Sequence, residues 1–427
     1  MNKINYSEIK AGKIILKRDS ANDNEITNRV KEIISNVIKG GDETLRKYTL
    51  SYDGIEIKDL KVSEDEINEA LPQVSRQLKD AIKIAAGNIS KFHKNQIRSE
   101  EKVETMDGVV CWRKSVPINI VGLYIPGGTA PLFSTLLMLG IPAKLAGCKK
   151  IIICTPPGAD GKIHPAILYT ANFLGLKEIY KVGGAQAVAA MAYGTETIPK
   201  AYKIFGPGNR YVTIAKQLVS LENTAIDMPA GPSELAIIAD NSANPEFVAS
   251  DLLSQAEHGV DSQVLLICND ESFIDNVNKC IDCQLEQLPR KEIAIKSLER
   301  SYFVFVKDMT EAFDLSNEYA PEHLIVSIKD VYNYLDRIEN AGSVFIGNYS
   351  PESAGDYASG TNHTLPTNGN AKAYSGVSID SFVKNITFQD ISASGIKNIG
   401  NTIEIMAENE ELFAHKNAVT LRLKEIN

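Results

Sequence analysis

No apolar run in this chain approaches the length of a membrane span. The greasiest stretch, "STLLMLGIPAKLAG", is interrupted by Pro142 and Lys144, so a membrane is not expected as a partner. Positive charge is also short. Lys and Arg number 45 against 54 Asp and Glu, for a net charge of −9, which argues against a nucleic-acid partner despite local pairs such as Lys149–Lys150. The six cysteines make no framework: Cys154 and Cys268 end apolar runs, and Cys280 and Cys283 form a lone C-x-x-C inside a stretch with helical spacing. The first residues, "MNKINYSEIKAGKIIL", lack the apolar segment of an export signal. A reduced, cytoplasmic protein is the expectation.

What is present is material for a large core. Of 427 residues, 44% are hydrophobic, enough for two to four domains. Residues 1–20 have too few apolar positions for a core of their own and read as an arm lying on something else. Ile26, Val30, Ile33, Ile34 and Val37 recur at helical spacing until Gly40–Gly41. A second long helix covers about residues 64–95, interrupted near Pro72. The stretch around Trp112 alternates like a strand.

A pattern then repeats four times within about a hundred residues. "INIVGLYI", "KKIIIC", "EIYKV" and "AYKIF" each lead through a glycine-rich turn ("PGG", "TPPG", "GGAQ", "GPGN") into an apolar helix. This is the mark of a parallel sheet with helices on its faces. A second series follows, with strands at "SELAIIAD", "SQVLLICND", "SYFVFVKD", "HLIVSI" and "GSVFIGN". The expected fold is α/β: two Rossmann-like, incomplete parallel-sheet domains, a short N-terminal arm and a small helical C-terminal domain. The expected bounds are 1–23 for the arm, 24–123 with 236–377 for the first α/β domain, 124–235 for the second, and 378–427 for the tail.

The glycine turns place helix N-termini at strand ends, where phosphate is favoured. None is G-x-G-x-x-G, and tight turns need glycine anyway, so a nucleotide cleft and a structural role both stay open. The polar clusters are more telling. Of six histidines, His93 sits in the basic "KFHKN", expected at an exposed helix end, and His164 begins a helix. The other four lie in the C-terminal half, each beside a carboxylate or amide. "DLLSQAEHG" puts Gln255 and His258 on one helical face. "APEHL" sets Glu322 beside His323, two proton carriers in one place. "SPESAGDYASGTNHTLPT" joins Asp356 to His363, and "AHKNAV" adds His415. Such a mixed nitrogen and oxygen set suits a borderline divalent ion such as zinc. The bland alternative is a set of solvated helix ends and surface pairs.

In this order, behind "YIPGGTAPLFST", "GGAQA", "FGPGN" and "DMPAGPSE", these motifs resemble the histidinol dehydrogenase family, over nearly the whole chain. The resemblance implies a zinc-dependent enzyme of histidine biosynthesis. It would oxidise L-histidinol through L-histidinal to L-histidine, a four-electron change passed to NAD. It implies one zinc per subunit, on Gln255, His258, Asp356 and His415, and an acid–base pair of Glu322 and His323. Substrate contacts map onto Ser233, His363 and Glu410, as well as Gln255, His258, His323, Asp356 and His415. Cofactor contacts map onto Tyr124, Gln186 and Asn209. It also implies a homodimer in which the tail, carrying His415, crosses to the partner, with the N-terminal arm part of the exchange. In "AENEELFAHK", Glu411 shares the face of His415 on an ideal helix, but the family spacing selects Glu410. Two other classes stay open: a zinc hydrolase using the same ligands, and a ligand-binding relative without turnover.

Overall fold

The structure, a computed structural model, describes residues 1–14, 16, 18, 24–127, 130–222, 224–229 and 231–426. Parts of the expected arm (15, 17 and 19–23) and Gly128 of the first glycine turn therefore lie outside the described residues.

Along the chain, β1 (Asn2–Asn5) precedes helices reaching to Lys94, and β2 (Lys102–Met106) and β3 (Val109–Pro117) follow as an antiparallel pair. The strand–turn–helix repeats supply β4 (Ile120–Tyr124), β5 (Lys150–Thr155), β6 (Glu178–Lys181), β7 (Lys203–Phe205) and the short β8 (Ala225–Ile226). The second series gives β9 (Glu234–Ala239), β10 (Gln263–Cys268), β11 (Tyr302–Phe305), β12 (His323–Ser327) and β13 (Ser343–Ile346), and the tail opens with β14 (Val383–Ile391).

Among the described residues these form a parallel five-stranded sheet, order β6-β5-β4-β7-β8, and a parallel six-stranded sheet, order β1-β11-β10-β9-β12-β13. Both central runs fan out from their first strand in two directions, as in doubly wound dinucleotide-binding sheets. Each therefore has a switch point, between β4 and β7 in one and between β9 and β12 in the other. Strands β9 and β10 are buried at every residue, as expected where helices cover both faces.

Helix Phe133–Ala146 is apolar all round and buried through most of its length, because it is sandwiched between the five-stranded sheet and helix Arg76–Lys94. On the other face, the stripe Val30, Ile33, Ile34 and Val37 packs with Ala187, Val188, Met191, Val212 and Ala215. Residues 24–94 thus form outer layers of the five-stranded sheet. The expected grouping of 24–123 with 236–377 is at odds with this packing. Helical spacing identifies the stripe but not the surface that covers it.

One further expectation needs correction, and the helical tail gains a strand. His93 is fully buried, its Nδ1 3.0 Å from Gln96 Oε1; the lysines around it face outward while the ring points in. The tail is not wholly helical. Its nine-residue β14 pairs antiparallel with β3 before helices Ala393–Asn409 and Phe413–Ile426 pack on each other. Between those helices Glu411 takes a left-handed backbone (φ 58), so no continuous helix puts Glu411 and His415 on one face. Strand β1 joins the six-stranded sheet at β11 of the same chain. Cys280 and Cys283 lie in helix Glu271–Leu285, both free.

Phe382 joins the tail to the five-stranded sheet. It is fully buried, stacked on Phe205 with ring centroids 4.1 Å apart. Phe382→Ala should leave a cavity and cost about 3–5 kcal/mol, read as a lowered denaturant midpoint with an unchanged slope.

Candidate active site

Three segments converge at the amino ends of the six-stranded sheet. Helix Pro245–Ala256, capped by the Asn244 side chain, ends at the start of β10 and delivers Gln255, with His258 just beyond it. The turn before β12 delivers Glu322 and His323. The short helix Glu352–Tyr357, after β13, delivers Glu352 and Asp356. The loop 350–367 is not loose: Asn362 donates to the Met138 carbonyl at 2.6 Å, and Asn88 to the Ala358 carbonyl at 2.8 Å. It is pinned to two helices of the other half.

His323 is the centre. Its Nδ1 lies 3.8 Å from Glu322 Oε2 and 3.7 Å from Glu352 Oε1, and its Nε2 lies 3.7 Å from Asp356 Oδ1. Nδ1 is 3.3 Å from the Glu234 carbonyl oxygen. Nε2 is buried and, among the described residues, has no hydrogen-bond partner. Glu322 accepts from the Glu234 N–H at 3.0 Å. With its amide nitrogen turned toward Glu352, Gln255 donates to Oε1 at 2.5 Å and to Oε2 at 3.2 Å. That orientation satisfies both groups and leaves the Gln255 oxygen available to a cation.

The electrostatics follow from crowding. Burial pushes the Glu322 carboxyl up to about 8 and Glu234 up to about 7, with His323 and Arg18 respectively opposing the rise. Burial alone takes Asp251, one helical turn before Gln255, up to about 7. Glu352 is also raised well above its usual range by burial. Burial works to lower His323, yet the pull of Glu352, Glu322 and Asp356 overcomes it and holds the imidazole up at about 10. Asp356 is held low; burial opposes this, but its contact with His323 prevails. One imidazole is left to balance several buried carboxylates.

His258, Glu352 and Asp356 present ligand atoms all within 4.8 Å of one another. A pocket that gathers imidazole and carboxylate donors fits a divalent cation such as zinc. Glu352 is the member that motif spacing did not single out. It is 1% exposed, and its signal was a glutamate inside the polar loop one helical turn before Asp356.

The remaining expected residues fall into four groups. Ser233 precedes β9, beside Glu234, and its carbonyl accepts from the Gln263 N–H at 3.2 Å. His363 bridges the halves: Nδ1 is 3.0 Å from the Asp356 carbonyl and Nε2 is 3.1 Å from the Thr135 hydroxyl. Tyr124, Gln186 and Asn209 gather at the carboxyl ends of the five-stranded sheet. The Tyr124 hydroxyl accepts from the Gly184 N–H at 3.1 Å, Gln186 is buried in the first turn of helix Gly184–Tyr193, and Asn209 caps helix Arg210–Ser220. These three surround the switch point between β4 and β7, where open α/β sheets bind ligands. Glu410 and His415 are exposed on the tail helices and, among the described residues, make no contact with the cluster.

The sequence pattern of the family described as "Histidinol dehydrogenase" matches residues 16–423. The chain is 58% identical over 426 residues to histidinol dehydrogenase of Bacteroides fragilis, covering 100% of both. It is 51% identical over 404 residues to that of Campylobacter jejuni, covering 94% of both. A crystal structure of histidinol dehydrogenase from Elizabethkingia anophelis superposes with a TM-score of 0.97 at 55% identity, covering 100% of this chain and 99% of that one. An acetylating aldehyde dehydrogenase from Geobacillus thermoglucosidasius, with a TM-score of 0.50 at 15% identity, covering 85% of this chain and 96% of that one, shares the fold alone. No helix among the described residues is long and apolar enough to cross a membrane. The chain belongs to the histidinol dehydrogenase family of oxidoreductases.

Proposed function

We propose that this chain is a zinc-dependent, NAD-dependent enzyme that oxidises L-histidinol to L-histidine through L-histidinal, in the cytoplasm, as part of histidine biosynthesis. The observation that carries this reading is the cluster of Gln255, His258, Glu352 and Asp356 around the buried His323, with a glycine-turn switch point on the opposite sheet. Gln255, His258 and Asp356 would hold the metal from this chain, one ion per subunit, with His415 completing the set. When bound, zinc supplies an anchor for the imidazole and amine of the substrate, and NAD supplies the hydride acceptor.

The chain's own groups divide the proton work. His323 Nδ1 can donate to the Glu234 carbonyl; a bound cation would draw on the carboxylates that hold the imidazole up in the metal-free site and so leave Nε2 as the basic nitrogen. Nε2 takes the alcohol proton as the first hydride departs. Oxidation of the aldehyde needs its hydrate, and Glu322, its carboxyl up at about 8, removes a proton from the water that adds. Once His323 has passed its first proton to solvent, it accepts the last one as the second hydride departs. Glu352 orients Gln255 through its amide nitrogen. Thr135 and Asp356 hold His363 against one edge of the site, where it and Ser233 would meet the substrate, with Glu410 from the tail. Tyr124, Gln186 and Asn209 would contact the dinucleotide.

The exposed tail supports a homodimer in which the tail crosses to the partner. Phe413, Met406 and Leu421 on the helices, with Val103 and Ile386 on the three-stranded sheet, stay exposed in one chain, an apolar surface that a second copy would cover. His415 would then reach the partner's cluster.

Three outcomes test this. Histidinol should drive reduction of two NAD per alcohol, measured by nicotinamide absorbance; chelation should abolish it and zinc restore it. His323→Asn should lose at least about 100-fold in kcat while still binding histidinol by calorimetry. A metal hydrolase would instead turn over without NAD. For the dimer, His258→Ala and His415→Ala chains, each inactive, should recover about one quarter of wild-type activity when unfolded together and refolded, because half the dimers are mixed and carry one intact site; no recovery would place His415 in its own chain's site.

A further test concerns pH. Glu322, Glu234 and His323 all bind protons more tightly folded than unfolded. Such groups contribute stability at low pH and lose it as pH rises through their folded values. The melting temperature of the chelated protein should therefore fall between about pH 6 and 9. Glu322→Gln should flatten that fall, and zinc should reverse most of it.

A further inference from the structure

The buried pair Lys216–Asp227 lies outside the metal cluster and has no part in the proton transfers. Its Nζ and Oδ1 are 2.5 Å apart, with side chains only 4% and 1% exposed. Both ends close on one residue. Lys216 donates to the Gly206 carbonyl at 2.8 Å, and the Gly206 N–H donates to Asp227 Oδ2 at 2.8 Å. Gly206 directly follows β7, at the switch point. Its φ is 124°, and a Cβ there would lie 2.1 Å from the Tyr124 carbonyl oxygen, so only glycine passes. Gly206 also opens the turn Pro207–Gly208–Asn209, whose last residue caps helix Arg210–Ser220. Lys216 reaches back from that helix to brace the turn that starts it.

Asp227 holds more than the turn. Its backbone N–H donates to the Ile204 carbonyl at 3.0 Å, and its Oδ1 accepts from the Met228 N–H at 2.8 Å. It therefore anchors the start of the segment that crosses to the six-stranded sheet and ends at Ser233. An unpaired carboxylate this close to a helix N-terminus would repel an anion; paired with Lys216, it is neutralised.

We propose that Lys216 and Asp227 are positioning residues for the dinucleotide. They hold the Gly206–Asn209 turn in its anion-receptive form before the cofactor arrives, and so set cofactor affinity while leaving the metal and alcohol site alone. This rests on the reading that NAD sits at the β4–β7 switch point. A buried pair of purely structural value would instead affect folding and every kinetic constant together.

The test uses the zinc-loaded enzyme. Lys216→Met/Asp227→Asn removes both charges without stranding either. The expected result is a KM for NAD raised about tenfold, the scale of a lost charged hydrogen bond. KM for histidinol, zinc content by metal analysis and kcat at saturating NAD should stay within about twofold. An unchanged KM for NAD, or equal rises in both KM values with a lower melting temperature, overturns the proposal. A second measurement needs no variant: hydrogen exchange on the wild-type enzyme should find the Gly206 and Met228 amides protected before NAD is added. Protection that appears only with NAD also overturns it. If wild-type enzyme neither binds nor reduces NAD, the dinucleotide reading itself fails, and the two failures are thereby distinguished.

Discussion

The site depends on an imbalance of charge. His323 is buried among Glu322, Glu352 and Asp356, with Glu234 and Asp251 close behind. Arg18 pairs with Glu234, but the one imidazole cannot neutralise the remaining carboxylates in a low-dielectric pocket, and leaving them ionised without a counter-charge is costly. The protein meets part of the cost by raising carboxyl pKa values and by spending backbone N–H groups on Glu322 and Glu234. A divalent cation and an ammonium-bearing substrate would meet the rest. The same imbalance underlies the instability expected of the metal-free protein at alkaline pH.

The fold turns this pocket toward the switch point of the five-stranded sheet. The five-stranded sheet presents its carboxyl ends, where Tyr124, Gly206 and the helix N-termini gather. The six-stranded sheet presents its amino ends, where Glu234, Gln263 and His323 begin their strands. The loop 350–367 ties the two together, and His363 touches both: the Asp356 carbonyl on one side and Thr135 on the other. The loop is polar because its side chains face a charged pocket, and it is ordered because Asn362 and Gly360 lock onto helices beneath it. Low hydrophobicity here marks chemistry rather than disorder.

Much of this was legible in one dimension. The parallel sheets were visible because strand and helix periods differ and the glycine turns punctuate them. The pairing of Gln255 with His258 and the adjacency of Glu322 to His323 are local, and local spacing survives folding. Glu352 was missed because nothing local distinguishes it from any surface glutamate; its importance comes from Gln255 and His323, distant in sequence. His93 was misplaced for the converse reason, since flanking lysines describe the neighbours and not the direction of the ring. The helix 24–53 was grouped with the wrong sheet because an apolar stripe specifies that it is buried, never against what.

The sequence by itself determined the period of each element, the position of each turn and the inventory of titratable side chains, because these are properties of neighbouring residues. Tertiary structure alone decided which carboxylates share one imidazole, that Lys216 and Asp227 both close on Gly206, and that strand ends of opposite polarity face each other. Those are contacts between residues far apart in the chain, and the energies that select them, desolvation and pairing of charge, exist only once the chain has closed around them.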